Sequence, residues 1–142
     1  MVDKTVVLRK VSELETYLRQ VREYSGITLA DYRADWKTQR IVERTLQMMI
    51  ETCADVASHI VSDRGMRAPT SYADTFTVLG ENAVIAPEIV SVMEKMAKFR
   101  NIVVHQYEGA DAEIVIAILK KHLEDFTKFK DSILKYMRSS DI

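Results

Sequence analysis

Residues 35–63 read DWKTQRIVERTLQMMIETCADVASHIVSD, and within them Val42, Leu46, Met49, Cys53, Val56 and Ile60 recur at alternating intervals of four and three. That interval keeps them on one side of an α-helix, whereas a half-buried strand would alternate at every second residue. Arg40, Glu43, Arg44, Gln47, Glu51 and Asp55 fill the other side, so the helix is amphipathic and must lie against a core. Asp35 stands where it can accept hydrogen bonds from the free amides of the first turn, while Gly65 supplies a stop and Pro69 prevents continuation.

The same interval returns on both sides. Asp3 precedes Val7, Val11, Leu14, Leu18 and Val21, a seam that stops before Gly26, and Thr28 to Ala34 reads as a connection or short turn. Ser71 and Asp74 have the spacing of a capping box with Asp in place of Glu, ahead of a short helix carrying Tyr72, Phe76 and Leu79 and stopping at Gly80. Pro87 suits the first turn of the next helix, whose seam is Val92, Met96, Phe99 and Val103. Gly109 breaks the chain and Asp111 can cap a last helix reaching about Arg138, with Val115, Leu119, His122, Phe126, Phe129 and Ile133 as its stripe. His122 within that stripe reads as a packed or interface histidine, and Ser139 to Ile142 as a loose tail. The expected fold is all-α, an up-and-down bundle of four long helices plus one short helix.

With 142 residues the chain fits one domain, 1–142, long enough to bury a core without staples. Four Gly and two Pro leave room for few turns. The net charge of −1 provides no global field toward nucleic acid, so any such contact must be local. Cys53 has no second cysteine to pair with, which suggests a reduced, cytoplasmic setting. Asp3, Lys4 and Arg9 interrupt the apolar N-terminus, and no run of eighteen apolar residues suggests a membrane partner. Residues 114–119, Ile-Val-Ile-Ala-Ile-Leu, are apolar almost all round their helix; either a second copy or the first helix together with the one that begins at Pro87 covers them.

Phosphate-binding glycine loops, zinc-spaced cysteine pairs, nucleophile elbows and dinucleotide fingerprints are all missing, so no cofactor is expected. Chemistry concentrates instead in residues 99–108, FRNIVVHQYE. Arg100 and His105 are roughly 140° apart around a helix and about 7.5 Å apart along it, so they do not converge by themselves. Asn101 and His105 share a face, and a long Arg side chain can reach across to it. With Tyr107 these residues combine a group that titrates near neutrality, a charged fork suited to phosphate and a phenol. From spacing alone, Arg and His capping the last carbonyls of a helix is an equally ordinary reading. Lys95 and Lys98, and Arg40 and Arg44 if their helix packs nearby, are candidate RNA phosphate contacts or simply solvated charges. Glu51, Asp55 and His59 at i, i+4 and i+8 form a stripe that a divalent metal could use, although a solvated face, or polar residues lining the groove next to the candidate site, suits them better.

An Arg, four residues, a His, one residue and a Tyr after an amphipathic helix in a small all-helical chain resembles the HEPN superfamily. The closer likeness is to its HepT-like toxin branch, and it covers nearly the whole chain. The resemblance implies the toxin of a type VII-like toxin–antitoxin system, a metal-independent ribonuclease with a site shared by two subunits. Arg100 and His105 would be catalytic and Asn101 supporting. It further implies that a HepT/MntA-type antitoxin, a minimal nucleotidyltransferase, silences the nuclease by AMPylation of Tyr107. The competing reading is a non-catalytic HEPN-type binding module that partners such a nucleotidyltransferase.

Overall fold

The computed structural model describes residues 3–106 and 108–139, and every regular element among them is helical. These are α1 (Lys4–Arg22), α2 (Leu29–Ala34), α3 (Trp36–Asp63), α4 (Asp74–Glu81), α5 (Pro87–His105), α6 (Ala112–Ala117) and α7 (Leu123–Ser139), with a π-helical turn, Ile118–His122, joining the last two. None is long and apolar enough to cross a membrane.

The caps come from short polar side chains. Asp3 Oδ1 accepts from the amides of Thr5 and Val6 at 2.9 and 3.4 Å, and Asp35 Oδ1 accepts from those of Lys37 and Thr38 at 3.0 and 3.3 Å. Gly65, at φ +62°, takes the left-handed conformation that ends α3.

Helix α3 is the central post and touches α1, α2, α4 and α5. Its Val42, Leu46, Met49, Ile50, Ala57 and Ile60 are fully buried. Each larger one contributes about 1.5–3 kcal/mol through area removed from water. Phe76 of α4 meets Phe129 of α7 edge to face, ring centroids 5.7 Å apart, closing the core on the far side.

Four expectations from the sequence need correction. Residues 28–34 are not a bare connection, because Thr28 Oγ1 accepts from Asp31 N at 3.1 Å and nucleates α2, whose Tyr32 is buried. Two short helices therefore accompany the long ones. The α5 seam runs through Met93, Met96, Ala97 and Phe99, with Val92 and Val103 only half-buried, since α5 packs against α3, α4 and α7 together. His122 is not packed: the π turn adds a residue to the helical repeat, so the buried stripe passes through Leu119, Leu123 and Phe126. The His122 side chain is 46% exposed and its Nδ1 pairs with Asp125 Oδ2 at 2.9 Å. Glu43, placed on the solvated side of its helix, is buried.

The link from α3 to α4 is braced by one arginine. Arg67 grips Asp74 through Nη1 and Nη2 at 2.7 and 2.9 Å, and Glu81 through Nε and Nη2 at 2.8 and 2.9 Å. Ser71 Oγ accepts from Asp74 N at 3.0 Å, but the Asp74 carboxylate turns to Arg67 and Thr70 rather than back to Ser71, so only half of the capping box forms. The Arg67 hydrogen bonds hold the Asp74 carboxyl well below the usual range. This link carries Tyr72 to the end of α5.

Candidate active site

Arg100 turns from α5 toward α3. Its Nε donates to Glu51 Oε2 at 3.0 Å, Nη2 lies 3.0 Å from the same oxygen, and Nη1 donates to Asn101 Oδ1 at 3.1 Å. The guanidinium carbon sits 4.4 Å from the centre of the Tyr72 ring, and Gln47 Nε2 holds Glu51 Oε2 from the other side at 3.1 Å. Burial pushes the Tyr72 phenol up to about 12, with Arg100 acting against that rise, so the ring meets the cation as a neutral phenol. Nε, Nη1 and Nη2 each turn one N–H to a protein oxygen, which leaves the second N–H of each terminal nitrogen to receive a phosphate oxygen. The side chain is 22% exposed, enough for such an approach.

His105 closes the last turn of α5 and points to solvent, where Gln106 N bonds back to Ile102 O at 2.9 Å. Among the described residues it has no hydrogen-bond or ion-pair partner. Lys98, Ile102 and His105 follow at i, i+4 and i+7 and are all exposed, so cation, apolar surface and imidazole share one face. Arg100 and His105 thus lie on different faces of α5, and Asn101, which accepts from Arg100, stands one turn before His105. Lys95 is exposed on the same helix and borders a groove of about 240 Å³ lined by Val92, Met96, Phe99, Ile114 and Ile118. Arg40 and Arg44 are exposed on α3, about two turns and one turn before Gln47 on the same helix. Tyr107 lies outside the described residues.

The loop after the helix is held by a buried carboxylate. Ala110 N donates to Glu43 Oε2 at 3.3 Å, Arg40 Nη1 stands 4.0 Å from Oε1, and the Glu43 side chain is only 10% exposed. Gly109 adopts φ +86°, and a Cβ there would lie 3.1 Å from Glu43 Oε2. Any side chain at Gly109 would meet both backbone strain and the carboxylate.

The profile of a family described as "Ribonuclease HepT-like" matches residues 14–133. The chain belongs to the HepT-like family. An mRNA nuclease HepT of Shewanella oneidensis is 30% identical over 128 residues, covering 90% of this chain and 96% of that relative. A tRNA nuclease HepT of Aphanizomenon flos-aquae is 24% identical over 96% of this chain and 92% of its own length. Among solved structures, a toxin–antitoxin complex with AMP-PNP superposes with a TM-score of 0.87 at 29% identity, covering 93% of this chain and 99% of that one. A tri-AMPylated S. oneidensis HEPN toxin in complex with MNT antitoxin gives 0.86 at 28% identity, covering 94% and 99%.

Within this HepT-like frame the acidic stripe on α3 is divided among separate partners. Glu51 holds Arg100, Asp55 takes Lys10 Nζ at 3.3 Å, and His59 Nε2 accepts from Asp3 N at 3.2 Å and faces Asp63 at 3.5 Å. No group of three or more His, Cys, Asp or Glu among the described residues could hold a metal ion. Cys53 is buried, and burial pushes its thiol well up, away from reactivity.

Glu43, Tyr72 and the pairing of Glu51 with Arg100 were missed from the sequence. Glu43 looks like a solvated charge on an amphipathic helix, Glu51 reads as solvated or as lining a groove beside the site with no particular partner, and Tyr72 lies 28 residues from the cation it faces. Only Gly109, a glycine soon after the motif, signals that something approaches the backbone there.

Gly109→Ala is expected to cost about 1–2 kcal/mol from the left-handed conformation. With global stabilities of about 5–15 kcal/mol the protein stays folded. A fall in activity at 25 °C, with melting temperature lowered by a few degrees, then reports the shape of the loop. A lowered melting temperature with unchanged activity would show that the clamp serves stability alone.

Proposed function

We propose that this HepT-like chain is the RNA-cleaving toxin of a toxin–antitoxin pair, acting as a homodimer in the cytoplasm through Arg100 and His105 and without a metal. The observation that carries the reading is a guanidinium braced by Glu51, Asn101 and Tyr72, with an exposed imidazole at the end of the same helix. Relatives named as mRNA and tRNA nucleases supply the substrate class.

His105 takes the proton of a ribose 2′-hydroxyl, whose oxygen attacks the adjacent phosphorus. The bond to the 5′-oxygen breaks, that oxygen takes up a proton, and a cyclic phosphate remains. Arg100 neutralises charge on the phosphate oxygens as it develops. Because the nucleophile belongs to the RNA, no water has to be activated.

A dimer supplies what one copy lacks. Ile102, Val104 and Ile114 are 37%, 41% and 47% exposed beside His105 and the adjoining groove. Covering this apolar surface by a second copy would bring two Lys98 and two Arg100 residues toward one cleft, concentrating positive charge in a near-neutral protein.

Control falls to a nucleotidyltransferase antitoxin acting on Tyr107, as the tri-AMPylated relative suggests. The phenol oxygen attacks the α-phosphorus of ATP and pyrophosphate leaves. The phosphodiester formed, two residues past His105 in sequence, repels RNA phosphate and adds bulk. Co-expression with the partner nucleotidyltransferase tests this. The expected product is heavier by one or more AMP units mapped to Tyr107 and no longer cuts RNA, whereas Tyr107→Phe cuts RNA and escapes silencing. A mass shift on another residue, or full neutralisation of Tyr107→Phe, would overturn the role of Tyr107.

A further inference from the structure

Trp36, the only tryptophan of the chain, opens α3 with 64% of its surface exposed, and Ile41 on the same helix is 47% exposed. An indole exposed to this extent offers a flat face on which another ring can stack. Its surroundings are cationic: Lys37 Nζ lies 5.8 Å from the ring centre, and Arg40 and Arg44 follow at the next two turns, all exposed. The nearby acids are largely spent. Asp35 caps the helix, Glu113 pairs with Arg33 at 3.5 Å and Glu43 is buried under the motif loop, which leaves Asp31 and, on that loop, Glu108 as exposed carboxylates.

The fold places this patch on the same helix as the carboxylate that holds the motif loop. Trp36 is seven residues before Glu43, about 10 Å along the helix, and Glu43 holds the loop that follows His105. The Arg33 to Glu113 pair ties the approach to Trp36 to the far end of the same loop. An aromatic face with cations along one side suits single-stranded nucleic acid, where bases stack on rings and phosphates follow positive charge. An apolar protein partner would have no use for three exposed cations around one ring.

We infer that Trp36, with Lys37, Arg40 and Arg44, forms a base-stacking subsite on the motif-loop side of the candidate site, holding a nucleotide of single-stranded RNA some positions away from the cleaved bond. The subsite rests on the nuclease reading for its role, but its binding is measurable apart from cleavage.

The probe is a short single-stranded 2′-O-methyl oligouridylate, which stacks but lacks the attacking hydroxyl. Since Trp36 is the only tryptophan, its fluorescence reports the ring directly. Binding should quench it. Trp36→Ala, followed by anisotropy of labelled oligomer, should bind about 5- to 150-fold more weakly, while Trp36→Phe retains most of the affinity. Arg40→Ala should lower the slope of log affinity against log salt by about 0.7, the loss of one phosphate contact to a single strand.

Cleavage of an unmodified RNA is measured in parallel. Intact cleavage with no quenching and undiminished affinity of Trp36→Ala would overturn the subsite and leave the nuclease reading standing. Ring-dependent binding without cleavage would keep the subsite and remove the nuclease. If Trp36→Ala leaves RNA affinity unchanged but dissolves the dimer or releases the nucleotidyltransferase, the face is a protein interface and the inference is wrong.

Discussion

His105→Ala is expected to lower RNA cleavage by about 10²–10⁴-fold, the range for loss of a positioned acid or base. The imidazole sits exposed at the end of α5 with no partner among the described residues, so its removal leaves no cavity and no orphaned polar group. The melting temperature should barely change. A catalytic loss without a stability loss separates chemistry from the helix-capping role that spacing alone allows. Equal cleavage by His105→Ala would assign the residue to the cap.

The second large effect belongs to Arg100, and the informative variant is Arg100→Lys rather than Ala. Lysine keeps the charge opposite Glu51, but it cannot bond Asn101 and Glu51 together while lying flat on Tyr72. If the guanidinium acts as an oriented fork, Arg100→Lys should lose about 10²–10³-fold in turnover, in the manner of a lost transition-state donor. Its effect on RNA affinity should be much smaller, because the charge remains. Restoration of most activity by lysine would mean that Arg100 serves only as a point charge.

The bundle was legible because its helices obey one rule. Seams such as Val7 to Val21 in α1 and Val42 to Ile60 in α3 are buried as their spacing requires, and the caps at Asp3, Asp35 and Asp111 all form. The misses occur where that rule is interrupted. His122 fell out of the core because a π turn resets the register, and nothing in the residues Ile118 to His122 distinguishes a π turn from an α turn. Glu43 moved into the core because the backbone of Gly109 and Ala110, distant in sequence, offers its carboxylate a donor and a close fit. In the candidate site, periodicity placed Arg100 and His105 on one helix but could not show which neighbours brace the guanidinium. Long-range pairs such as Arg100 with Glu51 or Tyr72 follow from how α3, α4 and α5 pack, and helical spacing carries no record of that.

The most direct test of the central claim is cleavage of a labelled RNA by the purified protein in excess chelator, with the new 3′ ends identified. If Arg100 and His105 carry the reaction, the rate is unchanged by chelator, the products end in a 2′,3′-cyclic phosphate or its hydrolysed form, and His105→Ala abolishes both. Activity that disappears with chelator and returns on adding a divalent metal would contradict the account.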